Sequence, residues 1–223
     1  MLNIERLTFG FLEKDLLKEI NLSVKRGEII SIVGPSGSGK TTLFRLISGL
    51  AIPKSGCIRL SDKTDPKQRS QLISYMMQED LLLPWKTLLD NLMIVFELEN
   101  PFWFSKSHKK AFKEKALQII EDVGLRGFEH YYPIALSGGM RQRASLARSL
   151  LFKRPLLLLD EPFGAIDAFK RKDLYSLVTK IKEKYELTIL FITHDLSDAF
   201  HLSNRIYFLD QGVLKEYSKE RDL

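Results

Sequence analysis

The chain has 223 residues, a formal charge of +6 and a hydrophobic fraction of 44%, the proportions of one globular domain or of a core with a small subdomain. No apolar run approaches the ~20 residues that span a bilayer, the opening MLNIERLTF lacks a signal-peptide core, and a single cysteine, Cys57, excludes an internal disulfide framework. The positive charge is interleaved with acids, as in KSHKKAFKEKALQIIEDV, and no basic stripe carries stacking aromatics, so a cytoplasmic protein with no specific nucleic-acid partner is expected.

Leu2 to Phe9 and Leu16 to Val24 read as strands, an antiparallel flap before a mainly parallel core. Glu28 to Val33 is a third strand and runs into GPSGSGKTT, Gly34 to Thr42. Gly34, Gly39, Lys40 and Thr41 satisfy GxxxxGK[ST] between a strand and a helix that begins near Gly39. Glycines let successive backbone N–H groups converge on a phosphate, and the helix start adds its unpaired donors. Pro35, Ser36, Gly37, Ser38 and Thr42 belong to the same cradle. Lys40 is expected to reach the β- and γ-phosphates and the Thr41 hydroxyl to bind Mg²⁺. Two residues apart on the first strand, Phe9 and Phe11 share a face. Phe9 is expected in the core; Phe11, at the strand end, either stacks on adenine or packs inside.

Leu43, Leu46, Ile47 and Leu50 mark the apolar face of the next helix. Cys57 to Leu60, with Cys57 as a small buried hydrophobe, and Leu72 to Met77 are strands, separated by the polar loop SDKTDPKQRS. Gln78 then stands at a strand end, either as a ligand to Mg²⁺ or its water or as an exposed turn residue. Thr87 to Leu98 and Lys109 to Val123 are helical, the second with Phe112, Ala116, Ile119, Ile120 and Val123 on one stripe. NPFWFSKS between them reads as helix-cap packing, or else as contact with a membrane partner. In LSGGMRQRASLARSL, Ser137, Gly138 and Gly139 open a helix, either as a second phosphate cradle or as an ordinary cap.

LLLLDEP, Leu156 to Pro162, is a strand buried on both faces, with Asp160 and Glu161 at its carboxyl end. Asp160 is suited to the Mg²⁺ shell and Glu161 to polarising a water in line with a γ-phosphate. Asp167 lies in the turn GAIDA, and Ala168 to Tyr185 is helical. His194 ends the buried strand Leu187 to Thr193, repeating the placement of Asp160 and Glu161, and is expected to contact the γ-phosphate or act as a switch. LSDAFHL, RIYFLD and VLKEY are a helix and two strands, and no second folded domain is expected after them.

In this order, GPSGSGKTT, Gln78, LSGGMRQR, LLLLDEP, Asp167 and His194 make the whole chain resemble the nucleotide-binding subunit of an ATP-binding cassette transporter. QEDLLLPWKTLLDNL, GGMRQRASLARSL and DEPFGAIDAFKR are similar to importer ATPases of the nitrate, sulfonate, taurine and bicarbonate group, which includes uptake systems for thiamine-precursor pyrimidines. Ile166 departs from the leucine usual there. The resemblance implies one α/β P-loop ATPase domain with an N-terminal antiparallel β region and a helical subdomain from about residue 80 to 150. It implies ATP and Mg²⁺ as cofactors, Glu161, His194 and Gln78 as catalytic residues, and Thr41, Gln78 and Asp160 around the metal. Phe11 stands where the family's aromatic adenine platform, usually tyrosine, is found; Asp167 also belongs to the nucleotide site. Ser137, Gly138 and Gly139 are implied to act in trans, on ATP held by a second subunit in a head-to-tail dimer.

The remaining implied partners are a transmembrane permease, which holds the ATPase at the cytoplasmic face of the membrane, and indirectly an extracytoplasmic solute-binding protein. Leu82, Leu83 and Trp85 are candidate contacts for a short permease helix, or else they pack the subdomain. A permease-independent ATPase of repair or translation fits poorly, because those members carry long coiled-coil insertions or paired cassettes. A non-hydrolysing scaffold is opposed by intact Lys40, Glu161 and His194.

Overall fold

The computed structural model describes residues 1–11, 14–99, 106–164 and 168–217. The chain begins with β1 (Leu2–Phe11), β2 (Lys14–Val24), β3 (Ile29–Val33), α1 (Lys40–Ser48), β4 (Ser55–Leu60), α2 (Pro66–Ser70) and β5 (Ile73–Met76). Three helices follow, α3 (Leu88–Glu99), α4 (Lys106–Asp122) and α5 (Gly138–Leu150), and then β6 (Leu156–Asp160), α6 (Ala168–Lys184), β7 (Thr188–Thr193), α7 (Leu196–Leu202), β8 (Arg205–Asp210) and β9 (Val213–Tyr217).

Strand pairing divides these elements between two sheets. β2-β1-β4 is antiparallel, as expected of the flap, and the second sheet has the order β5-β6-β7-β3-β8-β9, parallel except for β9. Period-two alternation explains why the central strands are apolar throughout. Leu157 and Leu159 of β6, with Ile189 and Phe191 of β7, enter a core built with α3, α4, α5 and α6. Leu156, Leu158, Leu190 and Ile192, on the opposite face, enter a core built with α1 and the antiparallel sheet. The expected stripe of α4 is buried at Ala116, Ile119, Ile120 and Val123, with Phe112 packed at its edge.

Several expectations are refined. Part of the loop SDKTDPKQRS is helical, because Asp65 caps α2 by accepting from the Gln68 N–H at 3.0 Å and Pro66 opens it. Leu50 follows the C-cap Gly49 and is exposed rather than on the apolar face of α1. Cys57 is half-buried, at the edge of the core rather than inside it. Register shifts in β1 around Phe9 break the simple pleat; the rings of Phe9 and Phe11 meet edge to face at 5.3 Å, Phe9 leaning on the core and Phe11 exposed. Residues 100–105, which include most of NPFWFSKS, and residues 165–167, which include Ile166 and Asp167, lie outside the described residues.

The turn before α3 is organised by one buried amide. Asn91 accepts from the Leu83 N–H at 2.7 Å and donates to the carbonyls of Leu83, Lys86 and Thr87 at 3.2, 3.0 and 3.0 Å. Its side chain is fully buried, so truncation leaves backbone groups without partners where water does not reach. Asn91→Ala should destabilise the protein by about 3 kcal/mol, lowering the melting temperature by roughly 6–12 °C. An unchanged melting curve would contradict this.

Candidate nucleotide site

Three adjacent parallel strands end on one edge. β3 stops at Val33 opposite Thr193 of β7, and Asp160 closes β6 opposite Ile192. Gly34, His194 and Glu161 therefore leave the sheet side by side, at the carboxyl edge where open α/β sheets hold ligands. Gln78 approaches from β5, which pairs with β6 through Met76 and Leu159.

The phosphate loop needs its glycines for two different reasons. A Cβ on Gly34 would sit 2.1 Å from the Leu209 carbonyl oxygen, so a side chain there collides with the backbone of β8. Gly37 and Gly39 have φ of +80° and +102°, the left-handed region that glycine adopts without strain. Gly39 caps α1 without a side-chain bond, which leaves the first-turn N–H groups available to an anion. Lys40 is buried, with Nζ donating to the Gly34 and Pro35 carbonyls at 2.8 Å each. Burial pulls the ammonium below the usual lysine range, and the charges of Glu161 and Asp160 partly restore it. Ser38 Oγ is buried with no hydrogen-bond partner among the described residues. Those features suit a polyphosphate, which offers acceptors to the lysine, the hydroxyl and the helix start together.

A trough runs along this loop. One part, about 420 Å³, is bordered by Lys40, Thr41, Gln78, Glu161 and His194. The other, about 700 Å³, is bordered by Phe11, Lys14, Lys18 and the turn at Asp210–Gly212, and both parts share Leu16, Ser36 and Gly37. Phe11 thus borders the part of the trough that Glu161 and His194 do not. Ser137, Gly138 and Gly139 border neither part. Exposed Ser137 caps α5, its Oγ accepting from the Met140 N–H at 3.3 Å, and the glycines form the first turn of α5.

The acidic side has two distinct carboxylates. Asp160 is buried; Tyr75 donates to its Oδ2 at 3.0 Å and Thr41 Oγ1 to its Oδ1 at 3.3 Å. Burial raises its pKa, the hydrogen bonds from Tyr75 and Thr41 and the charge of Lys40 pull it back, and Glu161 adds to the rise. Two hard oxygens converging beside the phosphate loop fit a Mg²⁺ ion that keeps several of its waters. Glu161 has φ of 49°, a strained value for a residue with a side chain, and its N–H donates to the Ile192 carbonyl at 3.0 Å. That turn directs its carboxylate into the trough, where Gln78 Nε2 stands 3.4 Å and His194 Nδ1 3.5 Å from Oε2. Gln78 is exposed at its turn, and among the described residues its polar contact is with Glu161 rather than Asp160.

Sequence reasoning passed over Tyr75 and named no partner for Arg141 or Arg148. Arg141 Nε donates to Asp80 Oδ2 at 3.1 Å, and Arg148 donates to the carbonyls of Leu81 and Asp80 at 2.7 and 2.8 Å. α5 thereby holds the segment that follows Gln78. Of the three candidate partner contacts on that segment, Leu82 is buried in the core and Leu83 half-buried, whereas Trp85 is exposed. Leu82 is thus a packing residue.

The raised pKa of Asp160 has a definite sign for stability. The native state holds this proton more tightly than the unfolded chain does, so the group contributes most below its unfolded pKa and loses that contribution as pH rises through its folded value. At neutral pH the desolvated carboxylate is a cost that a bound cation relieves. Asp160→Asn should raise the melting temperature of the ligand-free chain at neutral pH and abolish the Mg²⁺-dependent part of stabilisation by ATP. A lower melting temperature, or a retained Mg²⁺ effect, would contradict this.

The family described as ABC transporter matches residues 17–164. An aliphatic sulfonates import ATP-binding protein, SsuB 1 of Rhodococcus jostii, is 41% identical over 90% of this chain and 76% of its own length. A taurine import ATP-binding protein, TauB of Yersinia pestis, is 38% identical over 95% and 80%. The dimeric structure of MJ0796, a bacterial ABC transporter cassette, superposes with a TM-score of 0.83 at 29% identity, over 98% of each chain. The strand edge, the phosphate loop and these likenesses agree: the chain belongs to the ABC transporter family, as an ATP-binding cassette with a P-loop α/β core, an N-terminal antiparallel sheet and a helical subdomain.

Proposed function

We propose that this chain is the ATP-hydrolysing subunit of a solute importer of the nitrate, sulfonate and taurine type. It works at the cytoplasmic face of a membrane with a permease, to which an extracytoplasmic solute-binding protein delivers the cargo. The observation that carries the chemistry is the convergence of Gln78 and His194 on Glu161 Oε2 beside Lys40 and Thr41. The relatives named for sulfonate and taurine import support the transport role and the solute class.

In this reading Phe11 stacks on the base, and the loop from Gly34 to Thr42 encloses the phosphates with its N–H groups, Lys40 and the Ser36 and Ser38 hydroxyls. Thr41 and Asp160 would hold Mg²⁺, with Gln78 beside them, and the ion would supply charge neutralisation at the phosphates. Glu161 accepts the proton of a water set in line with the γ-phosphate, and His194 orients that water and Glu161. Asp167 also belongs to the nucleotide site by family resemblance.

The signature residues Ser137, Gly138 and Gly139 act on nucleotide held by a second copy of this chain. The exposure of Ser137, and the absence of all three residues from the borders of both parts of the trough, support action in trans. One chain supplies both complementary halves, so a twofold dimer makes two complete sites. Trp85 and the exposed part of Leu83 face the permease, and the ties from α5 to the segment after Gln78 carry closure to that surface.

Glu161→Gln retains size and hydrogen bonding but removes the proton acceptor. ATP hydrolysis should fall by roughly 10²-fold or more while Mg²⁺-ATP affinity persists, and the chain should copurify with a membrane permease whose solute stimulates turnover. Near-normal hydrolysis in the mutant would overturn the assignment of Glu161, and purification without any permease would overturn the transport role.

A further inference from the structure

His194 projects from a strand end and is about half exposed. Among the described residues its side chain has one polar contact, the Glu161 carboxylate. Its position therefore depends on how residues 193 and 195 are held. Both are held by one buried cluster. Thr193 Oγ1 donates to Asp198 Oδ2 at 2.8 Å and accepts from the Asp195 N–H at 3.1 Å, so a single hydroxyl brackets His194 from both sides. Thr193 and Asp198 are almost wholly buried. The other oxygen of Asp198 receives Tyr175 Oη at 2.5 Å and Arg171 at 3.3 Å, and Arg171 also donates to Asp195 at 2.5 Å. Tyr175 and Arg171 both lie on α6, the helix that begins directly after Asp167.

We propose that Asp198 is a positioning residue for His194: through Thr193 its carboxylate fixes the strand end that carries the imidazole, and through Tyr175 and Arg171 it ties that end to α6. A buried carboxylate that accepts from a threonine, a tyrosine and an arginine satisfies donors on both sides of the bend, which no neutral side chain of its size does. An asparagine in its place must turn its NH₂ either toward the Thr193 hydroxyl or toward the Arg171 guanidinium, a group with no acceptor. Either choice loosens one arm of the cluster. A catalytic group misplaced by about 1 Å can cost on the order of 10²-fold in rate, so a partial displacement should be visible in turnover without a loss of nucleotide binding. The inference rests on the proposed role of His194 for its kinetic consequence but not for its geometry.

The test uses Thr193→Val, which keeps shape and deletes the hydroxyl, Thr193→Ser, which keeps the hydroxyl, and Asp198→Asn. Each is made in the full chain and in a His194→Ala background. Single-turnover hydrolysis at saturating ATP should fall about tenfold in Thr193→Val and Asp198→Asn, with ATP affinity unchanged and Thr193→Ser close to the parent. In the His194→Ala background the same changes should cost nothing more. The imidazole carbon resonance of His194, assigned by its loss in His194→Ala, should move in Thr193→Val and Asp198→Asn and stay in place in Thr193→Ser. An unmoved resonance, or an equal fold-loss with and without the imidazole, would overturn the proposal. A moved resonance in a protein where His194→Ala hydrolyses normally would instead uphold the positioning and overturn the catalytic role of His194. Should Asp198→Asn fail to fold, Tyr175→Phe removes one donor to the same carboxylate and is read in the same way.

Discussion

The in-register parallel pairing of β6, β7 and β3 is the constraint on which the rest of the molecule depends. Backbone ladders align Val33 with Thr193 and Asp160 with Ile192, and side chains buried on both faces prevent a slip, since a one-residue shift would turn every side chain to the opposite core. Groups far apart in sequence thereby reach one edge with no long loop to order. The same packing that fixes the strands desolvates Asp160 at the end of β6 and Lys40 at the start of α1. Both carry an electrostatic cost in the ligand-free chain, and a polyphosphate with its cation would answer both. Strain at Glu161 belongs to the same edge: its left-handed backbone turns the carboxylate toward Gln78 and His194.

A second layer links this edge to the helical subdomain. The segment after Gln78 is gripped twice, by Asn91 from α3 and by Arg141 and Arg148 from α5. The Arg141–Asp80 pair is partly exposed and contributes little on its own. Arg148 matters more, because a guanidinium bound to two consecutive carbonyls fixes the path of the backbone itself. α5, whose first turn is the signature, is thus tied directly to the segment that leads to Leu83 and Trp85. On the functional reading proposed above, this is a short physical route from the nucleotide to the surface facing the membrane partner.

Much of this was legible in the sequence because it is encoded locally. GPSGSGKTT, LLLLDEP and the stripe of α4 each contain their own period or spacing, and the structure places them as the turn from β3 into α1, a buried strand and a core-facing helix. Tyr75 and Asp198 were not legible. Each depends on a pairing between distant segments: Tyr75 meets Asp160 only because β5 lies beside β6, and Asp198 meets Tyr175 only because α7 packs on α6. Helix α2 was missed for a different reason, since a strongly polar composition hid a proline-led start behind an aspartate cap. Leu82 and Trp85 are three residues apart in one apolar stretch, yet one is in the core and the other in solvent; in an irregular turn no period separates the two.

The signature at the start of α5 stands apart from the trough of its own chain, so the proposed site is complete only across two chains. Mixing two defective variants tests this most directly. Lys40→Ala spoils the phosphate loop but leaves the signature whole, and Ser137→Arg blocks the signature but leaves the phosphate loop whole. Each alone should be nearly inactive. In an equimolar mixture about half of the dimers formed at random are mixed, and each of these has one site that unites an intact loop with an intact signature. Hydrolysis restored on mixing, and dependent on total protein concentration, is the expected result. A Ser137→Arg chain that hydrolyses ATP at the normal rate alone, or a mixture no more active than its components, would contradict a site shared between two subunits.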